Sequence, residues 1–323
     1  MLKRSANIRR AVKRILCIGP TPAAQRVMVF RNFTLDEVNR AETTLDGAAG
    51  KSINVAKVLK AFGENPIATG FIGGDRGTLV EAALKQGAIG TAFVKIALET
   101  RQCTTVIDES ARTITELVQE SDPVPKGKYR ELMEVVRKWT ERCRAMVISG
   151  TLTPRAPTDF YRRCAQFATE CGLLSVVDAK GPALIEALKA RPGVVKPNRS
   201  ELAATVGHAL ASEAELMSAM RQLYERGALR VIVTSGKEPA LAFDGQQFWR
   251  IRAPKITAVN PIGSGDAFTA GLVWQLLRGA DLGEACRWAS ATGAANALTL
   301  MAGEVRRKDV QRLSAEVKVE EID

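Results

Sequence analysis

Histidine is almost missing from this sequence. His208 is the only one in 323 residues. A His-rich metal site is therefore excluded, and nothing around His208 suggests a Ser-His-Asp or Cys-His mechanism. The six cysteines (17, 103, 143, 164, 171 and 286) are scattered and form no C-x-x-C pair. They read as free thiols of a reducing compartment, so a cytoplasmic protein is expected. Aromatic residues make up 5% and do not alternate with the basic ones. The chain thus lacks the stacking platform that single-stranded nucleic acids require, and no nucleic-acid partner is expected. No apolar run approaches the roughly 18–20 residues that span a bilayer, so no membrane partner is expected either. Catalysis must rest on Asp, Glu, Lys, Arg or backbone groups.

What is present is an ordinary globular composition, 46% hydrophobic and 25% charged, with a net charge of +11. Roughly half of that excess lies in residues 1–14, where Lys3, Arg4, Arg9, Arg10, Lys13 and Arg14 stand without an acid. This stretch reads as a basic N-terminal extension. The positive balance of the rest suits an enzyme that handles phosphates.

Short apolar runs at 14–18, 67–71, 145–149, 174–178, 194–196, 230–234 and 240–243 predict strands. Amphipathic stretches at 53–62, 77–86, 128–140, 158–171, 182–191, 200–206, 212–226, 265–278 and 282–298 predict helices. Such alternation argues for a mostly parallel sheet covered on both faces, with ligands at the carboxyl ends of its strands. Segments 26–45 and 103–117 break the alternation. Rich in Thr, Val and polar residues, they predict extended pairs in a small sheet of their own. The charged stretch 306–323 predicts an exposed terminal helix or tail.

Three motifs carry the chemistry. In Asn260-Pro261-Ile262-Gly263-Ser264-Gly265-Asp266-Ala267-Phe268, two glycines allow close backbone approach. The N–H groups opening the next helix suit an anion, and Asp266 in the first turn can accept a proton from an attacking hydroxyl. Without a ligand in view, the same residues also fit an ordinary helix start. Ala49-Gly50-Lys51-Ser52-Ile53-Asn54 looks at first like a phosphate-binding P-loop, but Leu45 stands where that motif needs glycine. It reads instead as a turn opening a helix, with Lys51 and Asn54 toward a polar ligand. In Lys196-Pro197-Asn198-Arg199-Ser200-Glu201-Leu202, Asn198 and Glu201 share a helix face. They can order hydrated Mg²⁺ or form a capping pair, Asn198 at the N-cap with Glu201 at N3.

Together the motifs resemble those of the ribokinase-like (PfkB-type) carbohydrate kinases, in the branch of 1-phosphofructokinase and tagatose-6-phosphate kinase. Gly263-Ser264-Gly265-Asp266 is similar to the family's Gly-Ala-Gly-Asp, and 49–56 to its Gly-Gly-Lys-Gly-Ile-Asn-Val-Ala. The stretch 35–40, Thr100-Arg101 and Thr115-Glu116-Leu117 resemble its lid. Ser149-Gly150-Thr151-Leu152 resembles Ser-Gly-Ser-Leu, and Lys196-Pro197-Asn198 with Glu201-Leu202 matches Lys-Pro-Asn-x-x-Glu-Leu. These similarities run in family order from about residue 15 to 303.

The resemblance implies a three-layer α/β sandwich with a mostly parallel central sheet and a small β lid. The kinase domain would be 15–310, its lid about 26–48 and 100–120, with a charged tail at 311–323. It implies ATP-dependent phosphorylation of a ketohexose phosphate. Asp266 would be the base, and the N–H groups of Gly263, Ser264 and Gly265 the anion hole. Gln25, Gly50, Lys51, Asn54, Arg101 and Ser149 would hold the substrate, Arg101 taking its phosphate. Lys196, Asn198, Thr234, Ser235, Gly236 and Asn296 would line the ATP side, and Asn198 and Glu201 would order Mg²⁺ through water. Lids of this family often pair, which implies a homodimer. The sugar side departs from the pattern. Gln25 replaces an Asp that binds a sugar hydroxyl, and Ala49 and Ser52 replace glycines. Lys180 stands where Ser is usual, and Pro239 where the ATP-side loop has Gly. Altered sugar specificity is therefore expected. The competing expectation is a degenerate kinase that only senses sugar phosphate or nucleotide.

Overall fold

A computed structural model describes residues 14–323. All of the expected N-terminal extension except Arg14 lies outside the described residues. The main sheet has ten strands in the order β16 (Lys318–Ile322), β15 (Phe248–Arg252), β14 (Glu238–Phe243), β13 (Val231–Ser235), β12 (Val194–Val195), β11 (Leu174–Asp178), β10 (Cys143–Ser149), β1 (Arg14–Ile18), β4 (Pro66–Thr69) and β6 (Gly90–Thr91). From β6 across to β13 the neighbours are parallel, and β13 to β16 are antiparallel.

The central strands carry apolar side chains on both faces because both faces are covered. On β1, Ile15 and Cys17 enter one core and Leu16 and Ile18 the other, and β10 divides Ala145 and Val147 from Met146 and Ile148 in the same way. The first core is closed by α1 (Lys51–Ala61), α2 (Gly74–Gln86), α8 (Ser264–Leu276), α9 (Leu282–Asn296) and α10 (Arg307–Ser314). The second is closed by α3 (Lys126–Thr140), α4 (Phe160–Glu170), α5 (Gly181–Leu188), α6 (Arg199–Val206) and α7 (Glu213–Glu225).

A four-stranded sheet stands apart from this body, in the order β3 (Thr43–Ala49), β2 (Ala23–Phe30), β8 (Arg101–Asp108) and β9 (Thr113–Val118). It is the sheet that segments 26–45 and 103–117 predict. A short parallel pair is formed by β5 (Phe71–Ile72) and β7 (Val94–Lys95), which follow β4 and β6 in the chain. Two differences from the sequence reading stand out. Strand β15 was not expected, and the stretch 306–323, expected as an exposed helix or tail, is a helix only in its first part. Its residues 307–314 form α10 and its last residues form the edge strand β16, paired with β15 from Phe248↔Ile322 to Arg252↔Lys318. High charge hid the strand, since an edge strand needs only one apolar side and tolerates charges on the other.

Candidate active site

The chain leaves β1 toward β4 on one side, and β10 lies on the other. This is the point where strand order reverses and a cleft opens at the carboxyl ends of the strands. A cavity of about 350 Å³ lies along the carboxyl ends of β11, β12 and β13, against the four-stranded sheet. The body supplies Asp178 at the end of β11, Lys196 just past β12 and Thr234 on β13.

Two helix starts form its floor. Gly50 joins β3 to α1 at φ +112°, and an added Cβ would lie 3.1 Å from Pro22 Cα. Only glycine makes that turn without strain, and the turn aims Lys51 and Asn54 into the cavity. Gly263 caps α8 in the left-handed region at φ +83°, where a Cβ would meet that of Ala302 at 2.8 Å. No side chain caps α8; Ser264 N donates to Pro261 O at 3.1 Å, and the N–H groups of Gly265 and Asp266 are left for a ligand. Asp266 follows in the first turn.

A buried charge network joins these elements. Asp178 is almost wholly buried and accepts from Lys51 Nζ at 3.1 Å and Lys196 Nζ at 2.9 Å. Thr269 Oγ1 donates at 3.3 Å to Oδ2, the oxygen that Lys196 also holds. Burial pushes the Asp178 carboxyl up, but Lys196 and Lys51 outweigh it and hold the group down at about 2. Asp266 accepts from Asn54 Nδ2 at 2.7 Å. There burial wins over the pull of Lys51, and repulsion from Asp178 adds to it, so the carboxyl rises to about 6. Lys51 is held protonated, chiefly by Asp178. Two carboxylates in one cavity are thus driven apart, one ionised outright and one poised near neutrality.

Of the residues expected at the site, Gln25, Gly50, Lys51, Asn54, Arg101, Lys196, Asn198, Glu201, Thr234, Gly263, Gly265 and Asp266 line this cavity. Asn198 and Glu201 form the capping box: Asn198 Oδ1 accepts from Glu201 N at 2.8 Å, and Glu201 Oε2 accepts from Asn198 N at 2.9 Å. The other Glu201 oxygen faces Lys51 at 3.4 Å. Ser149, Ser264, Ser235, Gly236 and Asn296 do not line the cavity. Ser149 is fully buried behind it. Asn296, expected near adenine, is also fully buried and acts on the loop instead. Its Nδ2 donates to Ile262 O at 2.9 Å, and its Oδ1 accepts from Gly303 N at 2.8 Å. Asn260 adds a second clamp, donating to Leu300 O at 2.7 Å and accepting from Ile262 N at 3.0 Å.

Sequence reasoning missed Asp178. Its signal was available: a carboxylate ending an apolar strand, where parallel sheets place their ligands. Among the described residues no three His, Cys, Asp or Glu side chains come together as a metal cluster.

Residues 12–306 match the pfkB family of carbohydrate kinases. Tagatose-6-phosphate kinase of Staphylococcus epidermidis is 32% identical over 311 residues, covering 95% of this chain and 100% of that protein. Phosphofructokinase-2 of Escherichia coli, solved with substrates and products, superposes with a TM-score of 0.86 at 25% identity, covering 94% of this chain and 99% of that one. Ribokinase of Arabidopsis thaliana, solved with ribose and ATP, shares the fold at a TM-score of 0.72 and 19% identity, covering 94% of this chain and 99% of that one.

Proposed function

The chain belongs to the pfkB family of carbohydrate kinases, and on that premise we propose that it transfers the γ-phosphoryl group of ATP to a hydroxyl of a ketohexose phosphate, with Asp266 as base. One observation carries the assignment of the base. Asp266 stands at the uncapped start of α8, bonded to Asn54, with its carboxyl raised to about 6. A group so poised is ionised at neutral pH yet basic enough to take a hydroxyl proton. As the substrate oxygen bonds to the γ-phosphorus, the bond to the bridging oxygen breaks and ADP leaves. The hydroxyl proton passes to Asp266. The N–H groups of Gly263 and Gly265 face the charge on the transferring group, while Ser264, whose N–H donates to Pro261 O at 3.1 Å, holds the turn between them.

Gln25, Gly50, Lys51 and Asn54 hold the sugar in this reading. Arg101 takes the phosphate already on it, a task that suits a planar guanidinium. Ser149, behind the cavity, supports that wall. Lys196, Thr234, Ser235 and Gly236 serve the nucleotide side, where Asn296 acts through the loop it clamps. The donors present suit a hydrated Mg²⁺ carried on the nucleotide rather than a protein cage. Glu201 offers one carboxylate oxygen at the cavity, and Asn198 Oδ1 is already taken by its cap. When bound, the ion neutralises phosphate charge. A homodimer through the lid sheet is part of the same reading, supported by Leu35, Val38 and Leu117, all well exposed there.

The deciding experiment is an ADP-release assay with Mg-ATP against sugars and ketohexose phosphates. Turnover with one sugar phosphate names the substrate. Binding of sugar phosphate without turnover on any compound would refute the kinase reading in favour of a sensor.

A further inference from the structure

Four carboxylates face the cavity: Glu116, Asp178, Glu201 and Asp266. Three are engaged. Asp178 and Glu201 face lysines, and Asp266 accepts from Asn54. Glu116, on β9 of the lid sheet, has neither an ion pair nor a side-chain hydrogen bond among the described residues. Its cross-strand partner is Thr105 on β8. Thr105 is fully buried and accepts from Gln25 Nε2 at 3.2 Å. Residues opposite one another on paired strands project from the same face, so the register puts Gln25's anchor and Glu116 side by side on the lid's cavity side.

Two further acceptors are left open. With Nε2 committed to Thr105, Gln25 Oε1 has no donor, and with Nδ2 committed to Asp266, Asn54 Oδ1 has none. Both side chains are at least nine-tenths buried and line the cavity. A buried acceptor without a donor is costly, and hydroxyl hydrogens of a sugar would satisfy both. Both oxygens are neutral. A carboxylate accepts a hydroxyl hydrogen more strongly than an amide does, and at this end of the cavity Glu116 is the carboxylate without a partner.

We propose that Glu116 is a specificity-determining residue, accepting a ring-hydroxyl hydrogen of the sugar from the lid side while Gln25 Oε1 and Asn54 Oδ1 accept others from below. The inference rests on the kinase reading and deepens it. It makes the substrate a polyhydroxylated sugar phosphate read across the lid, with its phosphate on Arg101 and a ring hydroxyl on Glu116. Glu116 is exposed at the rim, and partial burial against the cavity wall raises its carboxyl, against the pull of Arg101. A hydroxyl donor meets that carboxylate favourably, and a phosphate placed there meets repulsion.

The test is Glu116→Gln, which keeps the shape and removes the charge at a rim position. Steady-state constants would be measured for the best sugar phosphate, for ATP, and for fructose 6-phosphate against tagatose 6-phosphate, which differ at one hydroxyl. The expected result is a rise of about tenfold or more in the sugar KM, with the ATP KM and melting temperature unchanged. Discrimination between the two epimers should also narrow severalfold. An unchanged sugar KM would overturn the proposal, and so would a lowered one, since it would mean that Glu116 only competes with the substrate phosphate for Arg101. A wild-type protein inert on every sugar phosphate would instead bring down the kinase reading, and this inference with it.

Discussion

The chemistry turns on how two carboxylates share two lysines. Lys196 and Lys51 both donate to Asp178, so Asp178 is ionised and Asp266 is left with burial as its dominant influence. As the proposed base, Asp266 must be deprotonated. Activity should therefore rise about tenfold per pH unit below about 6 and level off above it, which a kcat/KM profile from pH 5 to 8 checks. The sign for stability is opposite. A carboxyl raised from 3.8 to about 6 favours the fold while protonated, and that contribution is lost as pH rises between those values. Asp266→Asn should then lower kcat by about three orders of magnitude or more. At pH 7 it should also raise the stability of the free protein by about 1–3 kcal/mol. Denaturant unfolding at pH 7 and pH 4 separates the two effects, since the gain should shrink at pH 4. Asp178→Asn predicts the reverse. It leaves Lys196, 3% exposed, as a buried charge without its partner, a change that costs about 3–5 kcal/mol. A melting temperature within a degree of wild type would refute that.

The site is held at the level of elements by loops that admit no other backbone. Helix α8 begins where Asn260 and Asn296 clamp residue 262 from both sides of its peptide unit. Gly303 packs so closely on α1 that an added Cβ would come within 2.8 Å of Asn54 Cα. The turn before α8, the 300–303 loop and the start of α1 are therefore packed together as one unit. Gly263→Ala would add about 1 kcal/mol of left-handed strain and push on Ala302. The expected outcome is a kcat loss of at least tenfold, larger than any change in the KM for either substrate, because the N–H groups matter most in the transition state. Equal loss in both KM values with kcat intact would argue against that role for the turn. The capping box of α6 shows how an element can carry two readings at once. Its hydrogen bonds are those of an ordinary helix cap, yet the same geometry leaves one oxygen of Glu201 facing Lys51 in the cavity.

At the scale of the whole molecule, the lid sheet is the part least committed to the body. It is continuous with it at Gly50 and Arg101, and its small core of Val27, Val29 and Ile107 is completed by Met301 from the body. Leu35 and Val38 are 82% and 80% exposed on the connection between β2 and β3. Two neighbouring apolar side chains this exposed fit a partner lid. Replacing both by Glu should convert a dimer to a monomer in sedimentation analysis. A monomeric wild-type protein, or a dimer indifferent to the change, would exclude this interface.

How much of this was legible beforehand varies with the physics behind each feature. Most helices and the longer parallel strands were readable because burial on both faces writes apolar runs, and on one face a helical period; the two-residue parallel strands β6 and β7 were too short to show one. Strands β15 and β16 were not readable, because an edge strand such as Lys318–Ile322 with three charges can be recognised only once its neighbour is known. Asp266, Lys51 and Asn54 could be placed from local motifs, since each sits at a helix start that glycine announces. The sequence by itself determined the alternating α/β layers, the glycine-opened helices and the set of polar residues able to do phosphoryl chemistry. Only the tertiary structure decided which of them meet: that Asp178 gathers Lys51 from 127 residues away, that Asn296 serves a loop and not a ligand, and that Glu116 comes to face Gln25's anchor. Those are long-range pairings. A carboxyl's ionisation follows from the charges and the water around it in space, and neither is written in its neighbours along the chain.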